Sequence, residues 1–458
     1  MNSKRIKRLL TKDQPQGEYV LYWMQQSQRI HFNHALEYAV HLANEYDVPL
    51  VVLFCLTDYP SANKRHYQFM LEGLQSLVNP FKDLNITFII QNEDPVTAVY
   101  EFAKNSIHTV FDMGYLRIQR SWRNKLYTAF LNTNMTTLDV VESDLVVPIK
   151  EASDKLEYGA RTIRKKLMSQ YQHYLDDVII KPVQQSLNHH FSSLDLSNID
   201  AILDLLNLVD IPISKYYQGG QDVALKRLKT YFKEDINNYP NSNDPSLSLT
   251  SRISMYLHFG QLSSTYIIKQ LENLHHAKNV TTDAYESFLE QLLVRRELSF
   301  NFVYYNKNYD DFNFITYDWA YQTMNTHLLD ERDYIYTIDD YLAFATHDPY
   351  FNAAMKQMVM TGYMHNYMRM YWAKKIIEWS HTYQEAYHII KSLNDTYFLD
   401  GRDANGYTGI AWCFGRHDRA WTERDIFGKL RYMNANGLKR KFDIESYVEQ
   451  MNNLQKKQ

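Results

Sequence analysis

Trp372 and Trp379 lie seven residues apart in the run "YMRMYWAKKIIEW" (367–379). At about 100° and 1.5 Å per residue they share one helix face, about 20° apart and roughly 10 Å along the axis. Indoles so placed can pass an electron, although an aromatic stripe at this spacing is in general core packing, and taken alone the run reads as core. A second group lies in "LNDTYFLDGRDANGYTGIAWCFGRHDRAW" (393–421), where Asp400, Arg402 and Asp403 sit among turn formers. They are able to hold a polar cofactor or to satisfy one another, and residue chemistry leaves both readings open. In "LTSRISMYLHFGQLS" (249–263), Thr250, Ser251 and Ser254 precede an apolar helical run. Hydroxyls there cap a helix, and the same free N–H groups bind phosphate. The basic stretches "RTIRKK" (161–166), "VRRE" (294–297) and 415–442 interleave cations with Trp412 and Trp421. Most charge runs are solvated faces, but this mixture also suits a nucleic-acid backbone with an exposed base.

The elements that would carry these groups follow from patterning. Runs at 18–24, 48–56, 86–91 and 108–113 have the makeup of buried strands, and 34–46 and 66–81 have helical periodicity. That alternation predicts a Rossmann-like α/β unit with a parallel sheet over residues 1–145, without a GxGxxG after its first strand. The polar stretches 188–200 and 237–252 read as loops within and after a linker at 146–220, and nearly every segment beyond Leu249 is helical in period, so 221–458 is expected to be an all-α domain. With 458 residues and 45% hydrophobic content, two cores are affordable. Two cysteines, Cys55 and Cys413, exclude a disulfide framework or a cysteine metal site, and no metal is expected. The absence of a long apolar run predicts a cytoplasmic chain with no membrane contact. A net charge of −4 argues against indiscriminate coating of nucleic acid but permits a local basic face.

These stretches, with "FLEQLLVRREL" (288–298), "HDPYFNAAMKQMV" (347–359) and "SDKLEYGARTIR" (153–164), resemble the class II cyclobutane pyrimidine dimer photolyases over most of the chain and in the same order. The resemblance implies an antenna-type α/β domain, a helical FAD-binding domain, and light-driven electron transfer from reduced, anionic FAD to a dimer flipped out of double-stranded DNA. It implies FAD contacts from Tyr239, Thr250, Ser251, Arg252, Ile253, Ser254, Asn366, Arg369, Asn394, Asp400 and Asp403. Asn394 would face the flavin N5, and Arg369 would favour its anionic form. Glu290, Gln291, Arg295, Met370, Trp412, Arg416, Trp421, Lys439 and Arg440 would meet the dimer or DNA, with Trp412 stacked on the dimer. Trp372 would stand nearest the flavin and Trp379 at the surface end of a photoreduction relay; with Asn394, Gln291 and Arg369 they form the expected catalytic set. A second, light-harvesting chromophore of unknown identity is allowed for, and the chain is expected to be a monomer.

Three departures from the family's pattern touch function. Where the family has "HDPLWNA" this chain has "HDPYFNA", placing Phe351 at the middle relay tryptophan, with Tyr350 or another aromatic as the alternative bridge. Gln291 stands where a carboxylate is expected, with Glu290 one residue earlier, and an arginine is missing near Asn243. The departures give weight to an alternative, a cryptochrome-like flavin photoreceptor with little repair. A DNA-binding helical protein without a cofactor is the third reading.

Overall fold

Residues 1–14, 16–187 and 190–454 are described by the computed structural model. The first two positions of the expected 188–200 loop and the last four of the expected 221–458 domain lie outside the described residues. Strands β1 (Ile6–Leu10), β2 (Tyr19–Trp23), β3 (Leu50–Leu56), β4 (Thr87–Asn92), β5 (Ser106–Asp112) and β6 (Thr137–Val141) form one sheet in the order β1-β6-β5-β2-β3-β4. β2 and β3 are buried at every position, which is why they read as continuous apolar runs. All pairings are parallel except β1 with β6, so the sequence reading found β2 to β5 and missed both partners at the antiparallel edge. β1 is interrupted by Lys7 and Arg8, and β6 carries Asp139, whose carboxylate is held by Arg8 at 2.5 Å, Tyr38 at 2.7 Å and His108 at 2.8 Å.

Beyond β6 the elements are helical. Residues 179–187 and 190–206 lie back against the sheet: Val183 N donates to Leu84 O and Leu194 N to Ile90 O, both at 2.9 Å, and Leu196, Ile202 and Leu203 bury their side chains there. The stretch 351–380, one helical pattern in the sequence, is two helices. Pro349–Thr361 ends on Gly362, whose φ of +77° an L side chain rarely adopts, and Asn366–Glu378 starts under the side chain of His365, which accepts from Tyr367 N at 3.2 Å. Likewise Thr282–Leu289 and Arg296–Tyr305 are joined by a π-turn, Glu290–Arg295, a wider coil that appears mostly at functional sites.

The two halves are locked by buried charge. Glu297 Oε1 accepts from Val146 N at 2.6 Å, Arg296 pairs with Asp144 at 2.7 Å, and Arg5 donates to the carbonyls of Leu145 and Val146 at 2.8 and 2.7 Å. Burial pushes the Glu297 carboxyl up to about 8. These buried bonds form only when the segment 144–146 meets the 296–305 helix in this arrangement, although Glu297 Oε2, Asp144 Oδ2 and Arg5 Nε keep no partner.

Candidate active site

Trp372 and Trp379 share a face of the 366–378 helix, and both are buried, at 2% and 3% exposure. Trp372 Nε1 donates to Met355 Sδ at 3.0 Å, and its ring meets Phe398 edge-on at 6.1 Å. Trp379 is enclosed by Phe351 at 5.1 Å, His347 at 5.1 Å and Tyr336 at 5.3 Å. It is therefore not the surface end of the aromatic group, as the resemblance implied; Tyr334, 47% exposed and stacked on His347 at 3.9 Å, occupies that place. Between the tryptophans lie Phe351 and Met355, four apart on one helix and so on one face. Tyr350 does not bridge them, since its hydroxyl donates to Glu445 at 2.5 Å under Lys439.

One turn before Trp372, Arg369 lies flat over Phe398, its guanidinium 3.9 Å from the ring centroid. It donates to Met364 O at 3.1 Å and to both oxygens of Asp400 at 2.9 and 3.1 Å. Nearby, Thr250 Oγ is 2.8 Å from the hydroxyl of Tyr363, whose ring has Arg252 at 5.7 Å, Arg369 at 5.9 Å and Tyr217 at 6.3 Å around it. Arg252 takes a φ of +53° and has no ion pair, and the half-buried hydroxyls of Ser251 and Ser254 make no hydrogen bond. The expected capping by these hydroxyls is not made: the helix Ser254–His258 is five residues long, and buried Ile253 stands at its cap with no side-chain bond. Tyr239 packs on Phe288 at 4.9 Å. The sequence reading missed Tyr363, Tyr217 and Phe398; the one local signal was Gly362, which turns the chain just before Tyr363.

Asn394 closes the other side. Its amide donates to Asp395 at 2.9 Å, and its side chain rests on Gly406, where an added Cβ would come within 3.2 Å. Three residues along the helix Ala404–Cys413, an added Cβ at Gly409 would meet nothing within 4 Å. Three further on, Trp412 Nε1 is buried without a partner. Asn394, Gly406, Gly409 and Trp412 thus border a hollow that opens to solvent at exposed Gly409, on a helix packed against the one that carries Arg369. The expected FAD fits this donor set: cations and free hydroxyls for a diphosphate, and a glycine-floored gap for a flat ring. Asn366 is exposed and Asp403 is turned elsewhere, so neither is gathered with the rest.

Trp412 joins the hollow to the exterior. Arg295 of the π-turn lies 5.4 Å from its ring, and Glu290 is gripped by Arg164 at 2.6 and 2.9 Å and by Arg295 at 2.9 Å. Burial raises the Glu290 carboxyl, and the two guanidiniums more than offset it, leaving it below its usual range. Gln291 is exposed and unbonded, and Met370 is half-buried. Arg416, expected at DNA, is instead 5% exposed, with its guanidinium 5.0 Å from Phe302 and 4.6 Å from Tyr317. Trp421 is exposed between Arg419 at 5.0 Å and Arg431 at 4.5 Å; Lys439 and Arg440 are exposed as well, and so is Asn243.

A second cavity, about 140 Å³ and open to solvent, lies at the carboxyl ends of β2 and β3 and beside the turn after β5, where the strand order reverses. Ligands of open α/β sheets bind at such switch points. Its walls include Trp23, Phe54, Tyr67, Trp122, Phe259 and Phe300. Arg402 and Asp403 belong here rather than beside Asp400. Arg402 donates to Asp395 O and lies 3.0 Å from His66 Nε2, while Asp403 caps the 404–413 helix and is 3.1 Å from His258 Nδ1.

The family model described as DNA photolyase matches residues 20–185. The deoxyribodipyrimidine photo-lyase of Methanothermobacter thermautotrophicus is 41% identical over 462 residues, 99% of each chain. That of Potorous tridactylus is 36% identical over 97% of this chain and 84% of its own. Among solved structures, an archaeal photolyase from Sulfolobus tokodaii with two FAD molecules superposes at a TM-score of 0.70 and 15% identity, covering 94% of this chain and 89% of that one.

Proposed function

This chain belongs to the DNA photolyase family, and from that membership and the hollow beside Arg369 we infer that it is a deoxyribodipyrimidine photo-lyase of the class II type, repairing cyclobutane pyrimidine dimers in double-stranded DNA by light. The observation that carries the reading is Trp412, a half-buried indole with a free buried N–H, bordering the hollow and lying beside Arg295 of the π-turn. FAD held by Arg252, Thr250, Ser251 and Arg369 would supply light-driven one-electron chemistry for splitting the cyclobutane ring.

The chain's own residues hold and orient. Arg252, Thr250 and Ser251 offer cation and hydroxyl donors to a diphosphate. Arg369, fixed by Asp400 and Phe398, keeps a positive charge beside the hollow and so favours an anionic ring. Asn394 presents a buried amide at the same wall. Trp412 gives a flipped dimer an aromatic face, and flipping costs least for a damaged base that pairs poorly. The second cavity, aromatic-walled and with its charges already matched, suits a flat second chromophore of low charge. The buried thiols Cys55 and Cys413 fit a reducing, cytoplasmic setting.

One observation favours the sensor reading: Phe351 and Met355 replace a redox aromatic between the tryptophans. A single assay separates the readings. Purified protein is expected to show flavin absorption, and the chemically reduced protein is expected to remove dimers from an oligonucleotide under near-UV or blue light. Flavin without dimer loss would leave the sensor; a colourless protein that takes up no FAD would end both.

A further inference from the structure

Tyr158 is 57% exposed although one face of its ring is covered by Tyr317, stacked at 4.4 Å and 14°. Its other face is therefore open. The stack is held from both sides of the backbone: the Tyr317 hydroxyl donates to Tyr158 O at 2.5 Å, and His417 Nδ1 lies 2.7 Å from the same oxygen. Beneath it, the buried Arg416 guanidinium is 4.6 Å from the Tyr317 ring. Tyr158 leads into the helix Ala160–Met168, whose Arg161 and Lys165 are exposed and carry no ion pair. From that helix Arg164 reaches Glu290, which binds Arg295 over Trp412. The open ring thus stands on the flank of the Trp412 mouth, beside unpaired cations.

We propose that Tyr158, backed by Tyr317, is a stacking platform for a nucleobase of the damaged duplex left without its partner when the dimer is drawn toward Trp412. The inference rests on the repair reading above. Taking two pyrimidines out of a duplex leaves the opposing bases unpaired. Every base has a flat face for an aromatic ring, and the neighbouring cations meet the phosphates on either side. A ring already fixed by two contacts to its own backbone loses little freedom on binding, unlike an isolated surface tyrosine.

The test uses the FAD-loaded protein and a dimer-containing duplex with 2-aminopurine placed in turn at each position opposite and flanking the dimer. Wild-type protein is expected to quench the probe at one position. Tyr158→Ala and Tyr158→Leu are expected to abolish that quenching and weaken duplex binding roughly 5- to 100-fold, while Tyr158→Phe keeps both within about twofold. Binding by Tyr158→Ala within about twofold of wild type, with quenching unchanged at every position, would overturn the platform and leave the repair reading intact. Failure of the wild-type protein to bind the dimer duplex would instead remove the repair reading, and the platform with it.

Discussion

The loop from Phe398 to Ala404 sends Asp400 toward one hollow and Arg402 with Asp403 toward another, and the two differ in whether every charged group beside them is paired. Beside Arg369, the Ser251 and Ser254 hydroxyls and the Arg252 cation have no partner, and Trp412 Nε1 is buried alone. At the sheet's carboxyl edge, Arg402 is bound to Asp395 O and His66, and Asp403 to His258 and a helix N-terminus. Of these, Trp412 Nε1 is cut off from water and costs free energy unless a ligand meets it, whereas Arg252, Ser251 and Ser254 are half-exposed and open to an anion. Matched charges behind aromatic walls ask only for a flat apolar body. The first therefore suits the dinucleotide proposed above, and the second the proposed flat chromophore, with Gln25 Oε1 and Gln28 Oε1 left as buried acceptors on its wall.

The contrast breaks most directly at Arg369. Arg369→Ala removes the cation and leaves the side chain of Asp400, 11% exposed, without its partner. FAD affinity is expected to fall roughly 100-fold or more, read by titrating apoprotein with FAD, while a chromophore in the second cavity is retained. Unchanged FAD affinity would show that the hollow is not the flavin site. The converse change, Trp122→Ala, strips an indole from the second cavity. Retention of a second chromophore should drop about 30-fold, from the lost aromatic contact, with FAD content and repair under direct flavin excitation unaltered. Loss of FAD in this variant would mean that the two hollows are one site.

Parts of this contrast were legible in the residues themselves. β2, β3 and β5 announced themselves because strands buried on both faces need apolar side chains, and β4 by its apolar centre, whereas β1 and β6 hide behind Lys7, Arg8 and Asp139, the last two paired only across the sheet. Asp400 and Thr250 stood out by chemical type and Arg369 by the family resemblance, and the three lie together. The division of Asp400 from Arg402 and Asp403 was not visible, since adjacent residues in a turn point to different neighbours. The burial of Trp379 and Arg416 depends on Tyr336, His347, Phe302 and Tyr317, all distant in the chain, and no local pattern carries that information.

Matched groups also leave a pH signature. Burial lowers His365, which caps the Arg369-bearing helix and lies 2.9 Å from Ser242 O, from its usual 6.5 to about 4. Between these values the unfolded chain takes up a proton that the fold does not. The stability contribution is therefore whole above about pH 6.5 and is lost as pH falls toward 4, by at most about 1.4 kcal/mol per pH unit. His365→Asn keeps a capping acceptor without a titrating ring, so its urea midpoint should fall less steeply between pH 6 and 4.5. An identical slope would mean that His365 is not shielded from protons in the fold.

The smallest effect is expected at the outer mouth, where a matched and an unmatched residue are neighbours in the π-turn. Glu290 is bound by Arg164 and Arg295, and with its carboxyl held below the usual range it is ionised and has no proton to give. Gln291, exposed and unbonded, offers an amide that donates a hydrogen bond to a pyrimidine carbonyl but no proton. Gln291→Glu adds a carboxyl outside the Arg164 and Arg295 grip, able to protonate near a developing negative charge. Repair yield per absorbed photon should rise about threefold, largest at low pH where the new acid is protonated. Glu290→Gln should leave the yield per bound dimer unchanged and cost less than about 1 kcal/mol of stability, because its ion pairs are partly solvated. If Glu290→Gln lowers the yield while Gln291→Glu does nothing, the carboxylate that matters is the matched one, and the distinction between the two neighbours fails at this mouth.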